Sequence, residues 1–240
     1  MNSETSSVGV EPCGNLRFPR GLYGVTPDWD DFGRLRAAIE QAASGGMSAL
    51  QWRHKSLAAE HKHGFAEKLL TVCRDLLIPL IINDDWELAR DIGADGIHLG
   101  RDDESPQTVR ACLGQTMVIG ASCYGDLERA RQMLSMGVDY IAFGAMFASG
   151  TKPQAPPAPQ EILTQAHELT LGSAKRPAVI AIGGITTANA AELIAAGADS
   201  LAVIGGLFLH PNIEEAARLF NAEFKRVSPS GLPKVERPSR

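Results

Sequence analysis

The chain has 240 residues, a length that suits one large domain with a full hydrophobic core. Hydrophobic residues make up 44% and charged residues 21%, and the formal net charge is −5 with no long run of either sign, so nothing marks a partner in nucleic acid or an acidic membrane surface. No stretch approaches the roughly 18 apolar residues of a membrane span, and the first ten residues lack the basic start and apolar core of a signal peptide, so a cytoplasmic protein is expected.

Residues 1–17 are polar with Gly and Pro, and residues 228–240 are rich in Pro, Ser and basic side chains, so two disordered tails are expected around one domain at 18–227. Within that domain β-type runs fall at 21–26, 49–53, 79–83, 96–99, 117–121, 140–143, 178–182 and 200–204. Helical periodicity lies between them, at 32–43, 59–73, 127–136, 187–196 and 213–224 among other places. Strands that alternate with helices argue for a parallel sheet, and eight such units in this length argue for closure. The fold class expected is α/β, as a single (β/α)8 TIM barrel.

A short pattern recurs before every second strand. Gly93-Ala94-Asp95-Gly96-Ile97 resembles Gly137-Val138-Asp139-Tyr140-Ile141 and Gly197-Ala198-Asp199-Ser200-Leu201, and Gly46-Met47-Ser48-Ala49-Leu50 is a looser copy. It has two readings: a barrel built from similar parts, or the chemistry common to any turn from helix to strand, where glycine takes the left-handed position. The four cysteines, Cys13, Cys73, Cys112 and Cys123, form no CxxC pair and are expected to be free thiols.

In such barrels the chemistry gathers at the C-terminal ends of the strands. The second strand ends in Gln51-Trp52-Arg53-His54-Lys55; alternation turns Gln51, Arg53 and Lys55 to one face and Trp52 and His54 to the other. An amide and two cations aimed one way make an anion clamp, unless this is a strand end solvated by water. Asn83-Asp84-Asp85 and Arg101-Asp102-Asp103 follow the third and fourth strands. Their carboxylates suit helix caps or a hard cation, Mg²⁺, which takes one or two carboxylates plus waters and substrate phosphates.

After the sixth strand, the segment 146–157 (Met-Phe-Ala-Ser-Gly-Thr-Lys-Pro-Gln-Ala-Pro-Pro) reads as a loop folding over a phosphate, or as a flexible linker. Gly183-Gly184 and Gly205-Gly206 end the seventh and eighth strands, where barrels often bind phosphate through backbone amides. His98 reads as a packed core histidine, and His61 and His63 lack partners at metal spacing. No nucleophile elbow or dinucleotide fingerprint appears. Together these features point to two phosphorylated small-molecule ligands, one of them a diphosphate held by Mg²⁺.

Here the sequence resembles the thiamine-phosphate synthase family, from about Leu22 to Phe220. The resemblance is carried by Leu22-Tyr23-Gly24-Val25-Thr26, Gln51-Trp52-Arg53-His54-Lys55, Ile82-Asn83-Asp84-Asp85, the stretch 93–103, Gly120-Ala121-Ser122, Gly150-Thr151-Lys152-Pro153 and Ala181-Ile182-Gly183-Gly184-Ile185. It implies joining a hydroxymethylpyrimidine diphosphate to a thiazole phosphate, as its carboxylate or decarboxylated form, with release of pyrophosphate. It further implies that Gln51, Arg53, Lys55, Asn83 and Lys152 hold the diphosphate, that Asp84 and Asp103 ligate Mg²⁺, and that Ser122 lies beside the pyrimidine. Ser149, Thr151, Gly184, Ile204 and Gly205 would receive the thiazole phosphate. Arg53, Ser122 and Lys152 would be the catalytic set.

Three departures stand out: Arg101 where the family has glutamine, Ser149 for a usual threonine, and Gly205 for a usual serine. The rival readings are a thiazole tautomerase on the same barrel, which needs no diphosphate grip, and a phosphate-binding regulator, which needs no metal carboxylates. A sugar-phosphate isomerase would want a general base on a strand end. A homo-oligomer stays open.

Overall fold

Eight parallel strands pair in chain order and close into a barrel: β1 (Gly21–Val25), β2 (Met47–Trp52), β3 (Leu80–Asn83), β4 (Gly96–Leu99), β5 (Val118–Tyr124), β6 (Tyr140–Phe143), β7 (Ala178–Ile182) and β8 (Ser200–Val203). The helices are α1 (Phe32–Ser44), α2 (Ala59–Asp75), α3 (Trp86–Ile92), α4 (Pro106–Leu113), α5 (Leu127–Ser135), α6 (Glu161–Thr170), α7 (Ala190–Ala195), α8 (Gly205–Phe208) and α9 (Ile213–Arg226). This computed structural model describes residues 16–148, 157–172 and 175–227.

The strands read as near-continuous apolar runs because both faces are covered. Outward side chains such as Leu50, Leu80, Ile97 and Val179 pack under the helices. Inward ones, among them Tyr23, Ile81, Tyr140, Ile180 and Ala202, fill the interior with Phe18. Phe18 stacks at 4.8 Å on Tyr23 and 4.6 Å on Tyr140 and so plugs the end where the strands begin. Gly120 has to be glycine for the same reason: a Cβ there would lie 1.8 Å from Tyr140 Cζ. Helix starts follow local rules. Asp31, Asp85, Ser105, Asp126 and Asn212 each accept a backbone N–H of the first turn.

The recurring Gly-x-Asp pattern has a physical cause. Asp95 accepts the N–H of Leu80 at 2.8 Å, Asp139 that of Ile119 at 2.8 Å, and Asp199 that of Val179 at 2.9 Å. In the looser copy Ser48 Oγ donates to the Leu22 carbonyl at 3.0 Å. Each even strand thus carries at its start a side chain that grips the odd strand before it. Arg176 locks Asp199 with two bonds of 2.8 and 2.6 Å. Asp199→Asn should therefore lower stability by about 2–3 kcal/mol, since it leaves a mostly buried guanidinium without its counter-charge. An unchanged urea midpoint would argue against this role.

Several boundaries differ from the sequence expectation. β5 runs on to Tyr124, with a bulge in its pairing to β6, so Ser122 lies on the strand itself. The helix expected at 187–196 begins only at Ala190, because Asn189 ties the preceding turn to Thr186 and Gly184. Gly183-Gly184 consequently open a turn, not a helix. Leu16 and Arg17, expected in the tail, instead pair with Arg176. Residues 1–15 and 228–240 lie outside the described residues, as does Cys13. Cys73 and Cys123 are buried free thiols and Cys112 is an exposed one. Among the described residues no helix is long and apolar enough to cross a membrane.

Candidate active site

A cavity of about 600 Å³ opens at the C-terminal ends of the strands. Of the thirteen residues implicated by sequence, Gln51, Arg53, Lys55, Asn83, Asp84, Asp103, Ser122, Gly184, Ile204 and Gly205 all line it. Ser149, Thr151 and Lys152 lie outside the described residues.

The wall that carries Gln51, Arg53 and Lys55 is built by continuing β2 beyond its last ladder bond. Arg53 N–H donates to Thr26 Oγ1 at 2.9 Å, and Thr26 Oγ1 donates back to the Arg53 carbonyl at 3.1 Å. Asp28 accepts the Lys55 N–H at 3.1 Å and stands 3.8 Å from the Arg53 guanidinium. These ties keep the two-residue alternation running, so Gln51, Arg53 and Lys55 share the cavity face. Trp52 turns outward to stack on Phe65 at 5.7 Å, and His54 Nδ1 accepts the Leu57 N–H.

The two acidic clusters divide their labour. Asp85 caps α3, while Asp84 takes a left-handed conformation (φ 64°) that a non-glycine residue adopts at a cost. Ser105 caps α4, so Asp103 is free of that role and accepts the Gly100 N–H at 2.6 Å. Asp84 and Asp103 face each other across the cavity wall. Burial, then the hydrogen bond and charge of Asp103, push Asp84 up to about 6, with Lys55 and Asn83 pulling the other way.

On the next wall Ser122 Oγ lies 2.8 Å from His98 Nε2. His98, expected as a core residue, is indeed buried, yet it also lines the cavity. Arg129 of α5 braces this region: it donates to the Ser122 carbonyl at 2.8 Å and the Gly100 carbonyl at 2.9 Å. Arg101 lies over the Tyr124 ring at 4.5 Å. Across the mouth, backbone lines the wall. At Gly184 (φ 66°) a Cβ would come within 2.6 Å of the Ala148 carbonyl, whereas at Gly205 the nearest atom would be Leu209 Cδ1 at 3.6 Å.

Sequence reasoning missed Tyr23, Tyr140 and Arg129. The first two carried a signal, being polar aromatics at inward positions of two strands. Arg129 carried none, because a basic residue early in a helix reads as solvated surface.

Comparison with known proteins follows the same outline. A family model described as thiamine monophosphate synthase matches residues 22–207. The thiamine-phosphate synthase of Bordetella pertussis is 54% identical over 210 residues, covering 87% of this chain and 97% of that one. Its counterpart in Methylobacillus flagellatus is 48% identical over 205 residues, covering 85% and 95%. Among solved structures, a thiamine phosphate pyrophosphorylase from Pyrococcus furiosus superimposes with a TM-score of 0.75 at 25% identity, covering 88% of this chain and 98% of that one.

Proposed function

The chain belongs to the thiamine monophosphate synthase family, and from that premise we propose that it joins a hydroxymethylpyrimidine diphosphate to a thiazole phosphate, forming thiamine phosphate and releasing pyrophosphate. One observation carries the assignment of residues. The amide, cations and carboxylates of Gln51, Arg53, Lys55, Asn83, Asp84 and Asp103 line the same cavity as the glycine-bearing ends of β7 and β8, with β2–β4 on one side and β7–β8 on the other.

Asp84 and Asp103 suit Mg²⁺ as its protein ligands. Two carboxyls pressed together so that one holds its proton too tightly are a donor set short of a cation, and Mg²⁺ fills its remaining positions with water and phosphate oxygens. Among the described residues no group of three or more His, Cys, Asp or Glu gathers as a zinc site would need. When bound, the ion would offset charge on the diphosphate.

The side chains do the rest. Arg53 and Lys55 hold the diphosphate oxygens and stabilise the charge that grows on them as the methylene carbon–oxygen bond breaks. Gln51 and Asn83 fix its orientation. The pyrimidine methylene cation is stabilised by its own ring, beside Ser122, until the thiazole nitrogen attacks. Backbone N–H groups at Gly184, Ile204 and Gly205 hold the thiazole phosphate in line. Ser149, Thr151 and Lys152 are assigned by resemblance alone. The free thiols fit a reducing compartment, and we place the protein in the cytoplasm.

With both substrates and Mg²⁺, the purified protein should release one pyrophosphate for each thiamine phosphate formed. No product from substrates that a known synthase consumes would refute the reading. The open space at Gly205 adds a second expectation. Gly205→Ser places a hydroxyl beside the proposed phosphate position without a clash and should lower KM for the thiazole phosphate by about 3–10-fold, the net worth of one ordinary hydrogen bond. An unaltered KM would place that phosphate elsewhere.

A further inference from the structure

A connected set of polar groups crosses the barrel interior from Gln51 to Ser122, with the Gln51 amide bearing on both buried phenols. The Gln51 amide Nε2 donates to Tyr23 Oη at 2.9 Å, and Tyr23 Oη meets Tyr140 Oη at 3.0 Å. Tyr140 Oη meets His98 Nδ1 at 3.0 Å, and His98 Nε2 meets Ser122 Oγ at 2.8 Å. Both phenols are fully buried, and His98 stacks on the Tyr140 ring at 5.6 Å. Burial holds both phenols well above the usual tyrosine range, so each keeps its hydrogen at neutral pH.

Such a set has a direction. An amide nitrogen only donates, so Tyr23 Oη receives a hydrogen from Gln51. If Tyr140 also donated to Tyr23, the Tyr23 hydrogen would be buried with no acceptor among the described residues, at a cost of about 1–3 kcal/mol. If His98 Nδ1 carried a proton, Tyr140 would receive hydrogens from both sides and its own would be stranded in the same way. With the Gln51 nitrogen turned to Tyr23, the order Gln51 to Tyr23 to Tyr140 to His98 is the one that gives every buried hydroxyl hydrogen an acceptor. It leaves the imidazole proton on Nε2, which then donates to Ser122 Oγ. The Ser122 hydrogen is thereby left for a ligand in the cavity that Ser122 lines.

We propose that Tyr23, Tyr140 and His98 are positioning residues that carry the donor direction of the Gln51 amide across the barrel and fix Ser122 as a hydrogen donor to an acceptor atom of the pyrimidine ring. The substrate half of this statement rests on the synthase reading; the direction of the set does not. One amide, at the edge of the diphosphate clamp, therefore sets the hydrogen-bonding character of a hydroxyl on another wall. A glutamate at position 51 would reverse the direction, because a carboxylate only accepts.

The test is nitrogen NMR of isotope-labelled histidine in the substrate-free protein, with the His98 signals among the six histidines assigned by their loss in His98→Gln. Wild type should show His98 protonated at Nε2, Gln51→Glu should move the proton to Nδ1, and Tyr140→Phe should give a mixture of the two forms. Tyr140→Phe should also raise KM for the pyrimidine diphosphate by about tenfold, the loss of one oriented hydrogen bond, and leave KM for the thiazole phosphate within about twofold. Protonation at Nδ1 in wild type, or a tautomer indifferent to both substitutions, would overturn the proposal even in an active synthase. Failure of the synthase reading would show as absent turnover with the tautomer pattern intact.

Discussion

Arg53→Ala should lower kcat/KM for the pyrimidine diphosphate by about 10²–10³-fold, the usual consequence of removing one group aimed at charge that develops in the transition state. The fold should survive. The only ion pair that Arg53 makes among the described residues is with Asp28 at 3.8 Å, and Asp28 is exposed enough to be hydrated alone, so the stability change should stay within about 1 kcal/mol. The backbone ties to Thr26 that shape this stretch do not involve the side chain. Arg53→Lys retains the charge and loses the two-pronged grip, and should recover only part of the activity. KM for the thiazole phosphate should be indifferent to both changes. Undiminished turnover in Arg53→Ala, checked by steady-state kinetics on folded protein, would remove the clamp from the mechanism.

On the proposed reading, Asp84→Asn should abolish most of the turnover measured with Mg²⁺, by about 10²-fold or more, since the ion's charge would be offered where the leaving group forms. The same substitution should make the metal-free protein more stable at neutral and alkaline pH. The sign follows from the carboxyl. Asp84 titrates near 3.8 in an unfolded chain and near 6 in the fold. The folded state therefore binds the proton more tightly, and stability falls as pH rises from about 4 through 6 and stays lower above that. Asparagine carries no charge to lose. Screening at this half-open position holds the gain to about 1 kcal/mol, or roughly 2–4 °C in Tm for a chain of this size. Melting curves at pH 8 and pH 4 should differ between wild type and variant at the first and coincide at the second. Mg²⁺ should raise Tm of wild type and leave the variant unmoved. A variant less stable than wild type at pH 8 would contradict the mutual repulsion inferred for the two carboxyls.

Much of this molecule is legible in its residues, for reasons that are local. Strand runs such as 80–82 and 178–182 are apolar throughout because helices cover one face and the barrel interior the other. The shared cavity face of Gln51, Arg53 and Lys55 follows from two-residue alternation, and the Thr26 and Asp28 ties merely extend that alternation past the sheet. What escaped is what depends on the chain meeting itself at long range. His98 and Ser122 are 24 residues apart and Tyr23 and Tyr140 are 117 apart, so no spacing rule joins them. The helix expected from Thr187 starts late because one asparagine turns back on the two residues it would have extended from. Asp84 and Asp85 were indistinguishable as letters; only the left-handed backbone at Asp84 separates the cavity carboxylate from the helix cap.

The side-chain grips at the starts of the even strands have a consequence for how such a molecule could have grown. Each grip closes within one consecutive pair of strands: Ser48 on β1, Asp95 on β3, Asp139 on β5 and Asp199 on β7. Each side-chain grip is therefore contained in a module of two strands and the helix between them, and four such modules, joined by the strand ladders between them, make up the circumference of the barrel. A gene that copied or shuffled such modules would carry every latch along with its catch. A break between modules, such as the turn at Leu76–Ile78, parts none of them, whereas a break inside one separates a latch from its catch. The residues proposed to do the chemistry stand at the far ends of the same strands, where a change of side chain leaves these grips untouched.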